Sequence, residues 1–375
     1  MIAGSALLVL GPAREDEIVR IGIIGCGRAS ETRHLPALRR VRGGLVVAVA
    51  DVDATRLGRV ADAFRIERRH DDARALLADP ELDAVAVCVP ARAHAEVALA
   101  ALEAGKHVLV EKPLAVSAAQ AERLAEGART FSSKVVMGFN MRWHRLVRQA
   151  REVIASGRLG PIESMRTAFT SRHLTVPEWR ARRELGGGVL FEIAVHHFDL
   201  WRFLLGTEVD EVVAVSRSGE WDDETVTVMA RLANGIPVTS VFSERTGETN
   251  EIEIYGRNGR LRVSCYDYDG FEVVAAEAFP GDARERGRRL VRAVAELPGG
   301  VARMRHGGDF LMSYEAEWQH FLDAIQHDRP VECSVEDGRR ALDVALAAMA
   351  SASLGRAVKV ADAPRGVTPV VRAQA

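Results

Sequence analysis

From residue 18 onward, short β-branched runs alternate with longer stretches of helical periodicity, a rhythm that few folds tolerate. Runs at Val19–Ile24, 46–50, 84–89, 107–110 and Val135–Gly138 read as strands, with helices at Ala54–Phe64, 94–104 and Ala118–Thr130 between them. Strands joined through helices must lie parallel, because each helix carries the chain back across one face of the sheet. The expectation is an α/β protein whose first domain, residues 18–140, is a Rossmann-type doubly wound parallel sheet.

The loop after the first strand indicates what such a sheet would hold. Gly25-Cys26-Gly27-Arg28-Ala29-Ser30 runs directly from strand into helix. Glycine at 25 permits a tight turn, and glycine at 27 lets the backbone approach a pyrophosphate. Ser30 stands where a third glycine or alanine is usual; it is small enough for close helix packing but weakens the motif. Asp51 ends the second strand, where a carboxylate can accept a ribose 2′-hydroxyl and repel a 2′-phosphate. The expected cofactor is NAD in preference to NADP, lined by Gly25, Gly27, Arg28, Ser30 and Asp51. Asp53 competes for the ribose but is equally an N-cap for the helix opening at Ala54, with Arg56 a counterweight to both acids.

Past residue 140 the rhythm changes. A helix at 146–156 and a strand at 162–170 lead through an irregular segment to Gly186-Gly187-Gly188 and another helix. Strand-like runs follow at 211–216, Thr225–Leu232, 237–244, 250–255 and 259–265, joined by turn pairs such as Asn234-Gly235 and Asn258-Gly259. Such turns make hairpins, so residues 141–310 read as an α/β domain with a large, mostly antiparallel open sheet. Helices at 314–327 and Val335–Leu354 then pack back on the core within 311–360, and Trp318, Phe321, Leu322 and Ile325 recur at the spacing of a buried helix face. Residues 1–17 read as a poorly ordered extension or an upstream start, and 361–375 as a tail.

Composition narrows the function classes. A chain of 375 residues with 47% hydrophobic content exceeds one ordinary core, in keeping with two domains. Its 50 basic residues nearly balance 52 acidic ones, which argues against a nucleic-acid partner; the most basic stretch, 284–292, reads as a solvated helix or loop face. Cys26, Cys88, Cys265 and Cys333 are too scattered for a zinc pair or a disulfide framework and favour a reducing, cytoplasmic setting. No apolar span is long enough to cross a membrane, and the run at 6–10 lacks the basic segment of a signal peptide.

Two short motifs carry candidate chemistry. Lys112, in Glu111-Lys112-Pro113, follows the fourth strand, and ligands of open α/β sheets bind beyond the carboxyl ends of strands. Lys112 can therefore reach the reacting end of a dinucleotide; a salt bridge with Glu111 is the plain alternative. Glu192 and His196 lie four apart and share a helix face, with Asp199 a turn beyond. An imidazole titrates near neutrality and can take a hydroxyl proton while hydride leaves carbon, with a carboxylate to orient it. A buried, hydrogen-bonded histidine is the alternative. His197 lies off that line and reads as structural, and a metal is not expected because adjacent histidines diverge on a helix.

The combination of Gly25-Cys26-Gly27, Pro90 with His94, Ala104-Gly105-Lys106-His107-Val108 leading into Glu111-Lys112-Pro113, and Gly186-Gly187-Gly188 before Glu192, His196 and Asp199 resembles the Gfo/Idh/MocA family. That family is named for glucose-fructose oxidoreductase, inositol dehydrogenase and rhizopine catabolism, and the likeness spans about residues 19 to 360. The resemblance implies NAD(P)-linked hydride transfer on sugars, cyclitols or related polyols, and a homodimer or homotetramer built through the C-terminal sheet. It assigns Lys112, Glu192 and His196 to the reacting carbon, and Pro90, His94, Glu111 and Lys112 to the cofactor wall. Asn140, Arg142, Trp179 and Arg180 would join Lys112, Glu192 and His196 along the substrate. Many members carry aspartate at position 192; the longer glutamate could instead bind a substrate hydroxyl, leaving Lys112 and His196 to handle the proton. Relatives that cleave glycosides by transient oxidation, and a binding-only regulator, are the alternatives.

Overall fold

The computed structural model describes residues 18–279 and 282–367, so the extension at 1–17 and the end of the tail lie outside the described residues. Six strands, β1 Val19–Ile24, β2 Gly44–Ala50, β3 Arg68–His70, β4 Ala84–Val87, β5 His107–Glu111 and β6 Val135–Gly138, form a parallel sheet in the order β3-β2-β1-β4-β5-β6. Between them run α1 Leu35–Leu38, α2 Ala54–Phe64, α3 Ala73–Leu77, α4 His94–Glu103 and α5 Ala118–Thr130. Because helices cover both faces, central strands such as Ala84–Val87 are buried throughout, which explains their unbroken apolar runs. The strand order reverses between β1 and β4, and the loops leaving those strands diverge to open a crevice.

The strand β3 was not foreseen. It is three residues long, Arg68-Arg69-His70, and its charges conceal a strand while suiting the sheet edge it occupies. Asp53 does cap α2, its side chain accepting from the Arg56 backbone N–H.

The second sheet has eight strands: β7 Ile162–Arg172, β8 Val209–Arg217, β9 Thr225–Leu232, β10 Pro237–Ser243, β11 Arg245–Gly256, β12 Gly259–Ser264, β13 Phe271–Ala275 and β14 Val358–Lys359. They lie in the order β13-β12-β11-β7-β10-β9-β8-β14, and every pairing is antiparallel except β7 with β10. Alternation along β9 sends Val226, Val228, Ala230 and Leu232 to the core. The opposite face is open, with Val213, Val215, Met229 and Val241 exposed on neighbouring strands.

The helices of this half are α6 Arg145–Ala155, α7 Glu178–Ala181, α8 Val195–Leu205, α9 Ala283–Arg305, α10 Gly308–Gln326 and α11 Val335–Leu354. The basic stretch at 284–292 is one exposed portion of α9, as its charge pattern predicts. Helices α10 and α11 return to the first domain, where Trp318, Phe321 and Leu322 are fully buried. A backbone bond from Met137 N to Cys333 O, 2.9 Å, ties the segment between them to β6. Among the described residues no helix is long and apolar enough to cross a membrane.

Candidate active site

Gly25 has φ 97°, and a Cβ there would stand 2.5 Å from the Cys88 carbonyl oxygen, so only glycine fits. A Cβ on Gly27 would meet nothing within 4 Å. The loop is thus closed toward the sheet and open on the side where a pyrophosphate can approach its backbone, which fits a dinucleotide. Ser30 fills the place of the third glycine by turning inward, its hydroxyl donating to Gly25 O. It lies in a π-helical turn, Ser30–His34, that widens the start of the helix. Arg28 is exposed beside this turn and Pro90 is exposed after β4.

Asp51 sits at the end of β2 as expected, but its carboxylate is already occupied. Oδ2 accepts from Cys26 N at 2.7 Å and Arg56 Nε at 2.8 Å, and Oδ1 from Asp53 N at 2.8 Å and Arg56 Nη2 at 2.6 Å. Burial would raise its pKa, yet these donors, Arg56 first, hold it below the usual carboxylate range.

Glu111 does not pair with the Lys112 side chain. Its carboxylate accepts from His34 Nε2 at 2.8 Å and from the Lys112 backbone N–H at 3.0 Å. Burial opposes its ionisation, but His34 and Lys112 hold its pKa at about 2. His94 spans from Val89 O, 2.7 Å, to Pro113 O, 2.6 Å, tying the loop after β4 to the turn after β5. Burial lowers its pKa against the pull of both carbonyls.

Released from Glu111, the Lys112 ammonium reaches the other domain. Nζ donates to the Glu192 carbonyl oxygen at 2.7 Å and lies 3.7 Å from Glu192 Oε2. Arg180 flanks the same carboxylate, Nε to Oε2 at 3.3 Å, and its Nη2 donates to Glu244 Oε1 and lies 3.3 Å from His173 Nε2. Burial alone would push Glu192 up; Lys112 and Arg180 outweigh it and lower its pKa. Glu244, at the turn after β10, is kept above its ordinary value by burial and by Glu192, against Arg180. Glu244 and His173 were missed because each is an isolated polar residue beside a strand, with no spacing that links it to Arg180.

His196 packs between Phe139 and Phe169, with ring centroids 5.9 and 6.2 Å away. Burial and the Lys112 charge push its pKa to about 3, so the ring is neutral near pH 7. His197 bonds Asn250 Oδ1 at 3.0 Å, the structural role its position suggests. Glu192 lies in a second π turn, Leu190–Ala194, which leads into α8.

Other expected residues are not brought to this group. Asp199 does not extend the Glu192/His196 face but pairs with Arg142, whose guanidinium also meets Asp337 at 2.9 Å and Glu332 O at 2.8 Å; Arg142 is therefore engaged inside the protein. Asn140 is buried and donates to Ser313 Oγ at 2.8 Å. Trp179 is half-buried next to Arg180 on α7. The three glycines serve packing: a Cβ on Gly187 would lie 2.1 Å from Arg180 O, and one on Gly186 would lie 2.7 Å from Val116 Cγ1. Among the described residues no group of three or more His, Cys, Asp or Glu side chains could hold a metal ion.

Known proteins resemble this chain along most of its length. The chain is 30% identical over 355 residues to a myo-inositol 2-dehydrogenase of Thermotoga maritima, covering 92% of this chain and 99% of that one. It is 31% identical to a 1,5-anhydro-D-fructose reductase of Ensifer adhaerens, covering 91% and 98%. A crystal structure described as a probable dehydrogenase from Thermotoga maritima superposes with a TM-score of 0.75 at 26% identity, over 92% of this chain and 100% of that one. Levoglucosan dehydrogenase in complex with NADH and L-sorbose shares the fold, with a TM-score of 0.78 at 22% identity over 92% and 99%. The profile of an oxidoreductase family with an NAD-binding Rossmann fold matches residues 19–139, and that of the family's C-terminal alpha/beta domain matches 151–360. The chain belongs to the Gfo/Idh/MocA oxidoreductases.

Proposed function

We propose that this oxidoreductase reversibly oxidises a secondary alcohol on a sugar, sugar derivative or cyclitol, with NAD preferred to NADP. The observation that carries the reading is Lys112, freed from Glu111 and held at 2.7 Å from the Glu192 carbonyl in the crevice between the domains. Bound NAD would supply the redox chemistry by accepting a hydride. Gly25, Gly27 and Ser30 shape the loop that would take its pyrophosphate, with Arg28 exposed beside it, and Asp51, Pro90, His94 and Glu111 would complete the cofactor's wall.

The Lys112 ammonium stabilises the substrate oxygen as negative charge grows on it. His196 offers a neutral ring to a hydroxyl proton, but a pKa of about 3 makes it a weak acceptor. A protonated Lys112 has no lone pair to take that proton, so its part is to hold the oxygen's growing charge, while the proton passes to the His196 ring and on to solvent as hydride leaves carbon. Glu192 orients Lys112 and Arg180 through its charge. Both cations already face carboxylates, an arrangement that suits an uncharged polyhydroxylated substrate better than an anion. Trp179 and Arg180 would line its far side, and the open face of the second sheet would join copies of the chain. The relatives named above for inositol and anhydrofructose support this substrate class.

The test is NAD reduction across a panel of sugars and inositols, followed by Lys112→Ala on the best substrate. Turnover is expected to fall by about 100-fold or more. Near-normal turnover in the variant would overturn the assignment.

A further inference from the structure

A set of buried groups between the first sheet and α10 has no part in the chemistry above, yet connects to it through one carboxylate. Glu111 Oε1 meets His34 Nε2 at 2.8 Å, while Oε2 accepts the Lys112 backbone N–H at 3.0 Å. The other nitrogen of His34, Nδ1, accepts from the Trp318 indole Nε1–H at 3.1 Å. An indole N–H only donates, so Nδ1 carries a lone pair and the ring proton lies on Nε2, facing Glu111. The rings of Tyr314 and Trp318 stand edge-on to His34, with centroids 5.2 and 5.9 Å away, and fix its plane.

We propose that His34 is a positioning residue: oriented by Trp318, it holds the Glu111 carboxylate away from the Lys112 ammonium and so leaves that ammonium to the crevice. The proposal rests on the role given to Lys112 above. Removing the His34 donor leaves a buried carboxylate whose adjacent cation is Lys112, and a buried charge without a partner is costly. The ammonium is then drawn back to Glu111, the pairing that the sequence alone offers.

The charged and titratable groups facing His34 are Cys88 after β4, Glu111 at the end of β5, and Tyr314 and Glu317 on α10, with Arg33 and Lys112 near their edges. Both Glu317 oxygens are buried without a hydrogen-bond partner, and burial together with Glu111 raises its pKa well above the ordinary value. With neither oxygen bonded to His34, Glu317 does not compete with Glu111 for the His34 proton. Burial disfavours a second proton on His34, but Cys88 and Glu111 outweigh it and push its pKa well above the ordinary value; the geometry of the ring opposes that pull. The indole N–H decides for the neutral ring, because a doubly protonated imidazole has no acceptor to offer it.

The first measurement needs no variant and no substrate. Nitrogen-15 NMR of the full-length protein should show His34 neutral with its proton on Nε2; a proton on Nδ1 would overturn the proposal. Trp318→Phe keeps an aromatic ring but removes the donor, and is expected to shift this tautomer signal. The same variant should lower kcat about tenfold, with the substrate KM changed less than about twofold, and should move the pH profile of kcat. His34→Gln, which retains an N–H donor, should restore most of the activity lost in His34→Ala. Equal losses in those two, or an unchanged kcat in a folded Trp318→Phe, would refute the positioning role. A wild-type protein inactive on every polyol would count against the functional reading alone, because the tautomer is read without substrate.

Discussion

At the scale of single residues, Asp51 shows how a side chain can sit where expected and yet be differently engaged. A carboxylate has about four lone-pair positions, and four donors already surround this one. Two of them come from Arg56, so Arg56 competes with a ribose 2′-hydroxyl. Arg56→Ala should therefore lower the KM for NAD by about threefold and raise that for NADP, because a guanidinium that could meet a 2′-phosphate is gone. Steady-state kinetics with both cofactors checks this; a higher KM for NAD would mean that Arg56 instead holds Asp51 in place. The same scale shows what was legible. Lys112, Glu192 and His196 could be picked out because two compact motifs carry them. Their partners could not: Glu111 takes His34 from 77 positions away, and Glu192 shares Arg180 with Glu244, pairings that depend on tertiary folding alone.

At the scale of elements, periodicity revealed every long strand of the first sheet and missed β3, whose charged residues carry no alternation signal. The hairpin turns gave away the antiparallel sheet but not the parallel pairing of β7 with β10, which joins strands far apart in the chain. Neither π turn was legible, because one extra residue per turn leaves an apolar pattern almost unchanged. Both occur at the site, one placing Ser30 and His34, the other Glu192. The second sheet also carries a prediction. Val213, Val215, Met229 and Val241 share one exposed face, with Val215 71% exposed, and a contiguous apolar patch of this kind marks an interaction surface. Val215→Glu should shift the protein toward monomer in sedimentation, leaving its secondary structure intact. A wild-type protein that sediments as a monomer at micromolar concentration would sink the oligomer proposal.

At the scale of the whole molecule, buried histidines set an acid limit. Burial pushes His144 and His197 down to about 4, and burial with Lys112 pushes His196 to about 3, from an ordinary value of 6.5. Each therefore binds its proton more readily in the unfolded chain. Their contribution to stability is complete above pH 6.5 and is lost as pH falls toward 4 and then 3. Glu111 extends the loss from its ordinary 4.5 down to about 2. The melting temperature at pH 5 should lie roughly 5 °C below that at pH 7.5, with proton uptake on unfolding. Calorimetry across that range checks it, and a flat melting temperature would mean that these rings are hydrated.

The bond from Trp318 to His34 joins residues 284 positions apart. A chain made from its amino terminus therefore emerges with the glycine loop, β5 and Lys112 in place long before the helix that orients His34. Until α10 leaves the ribosome, the surface it will cover on the first domain, including His34, faces solvent or a chaperone. The nascent first domain is thus a sheet with an unfinished wall, and Glu111 and His34 reach their final setting only when α10 packs onto it.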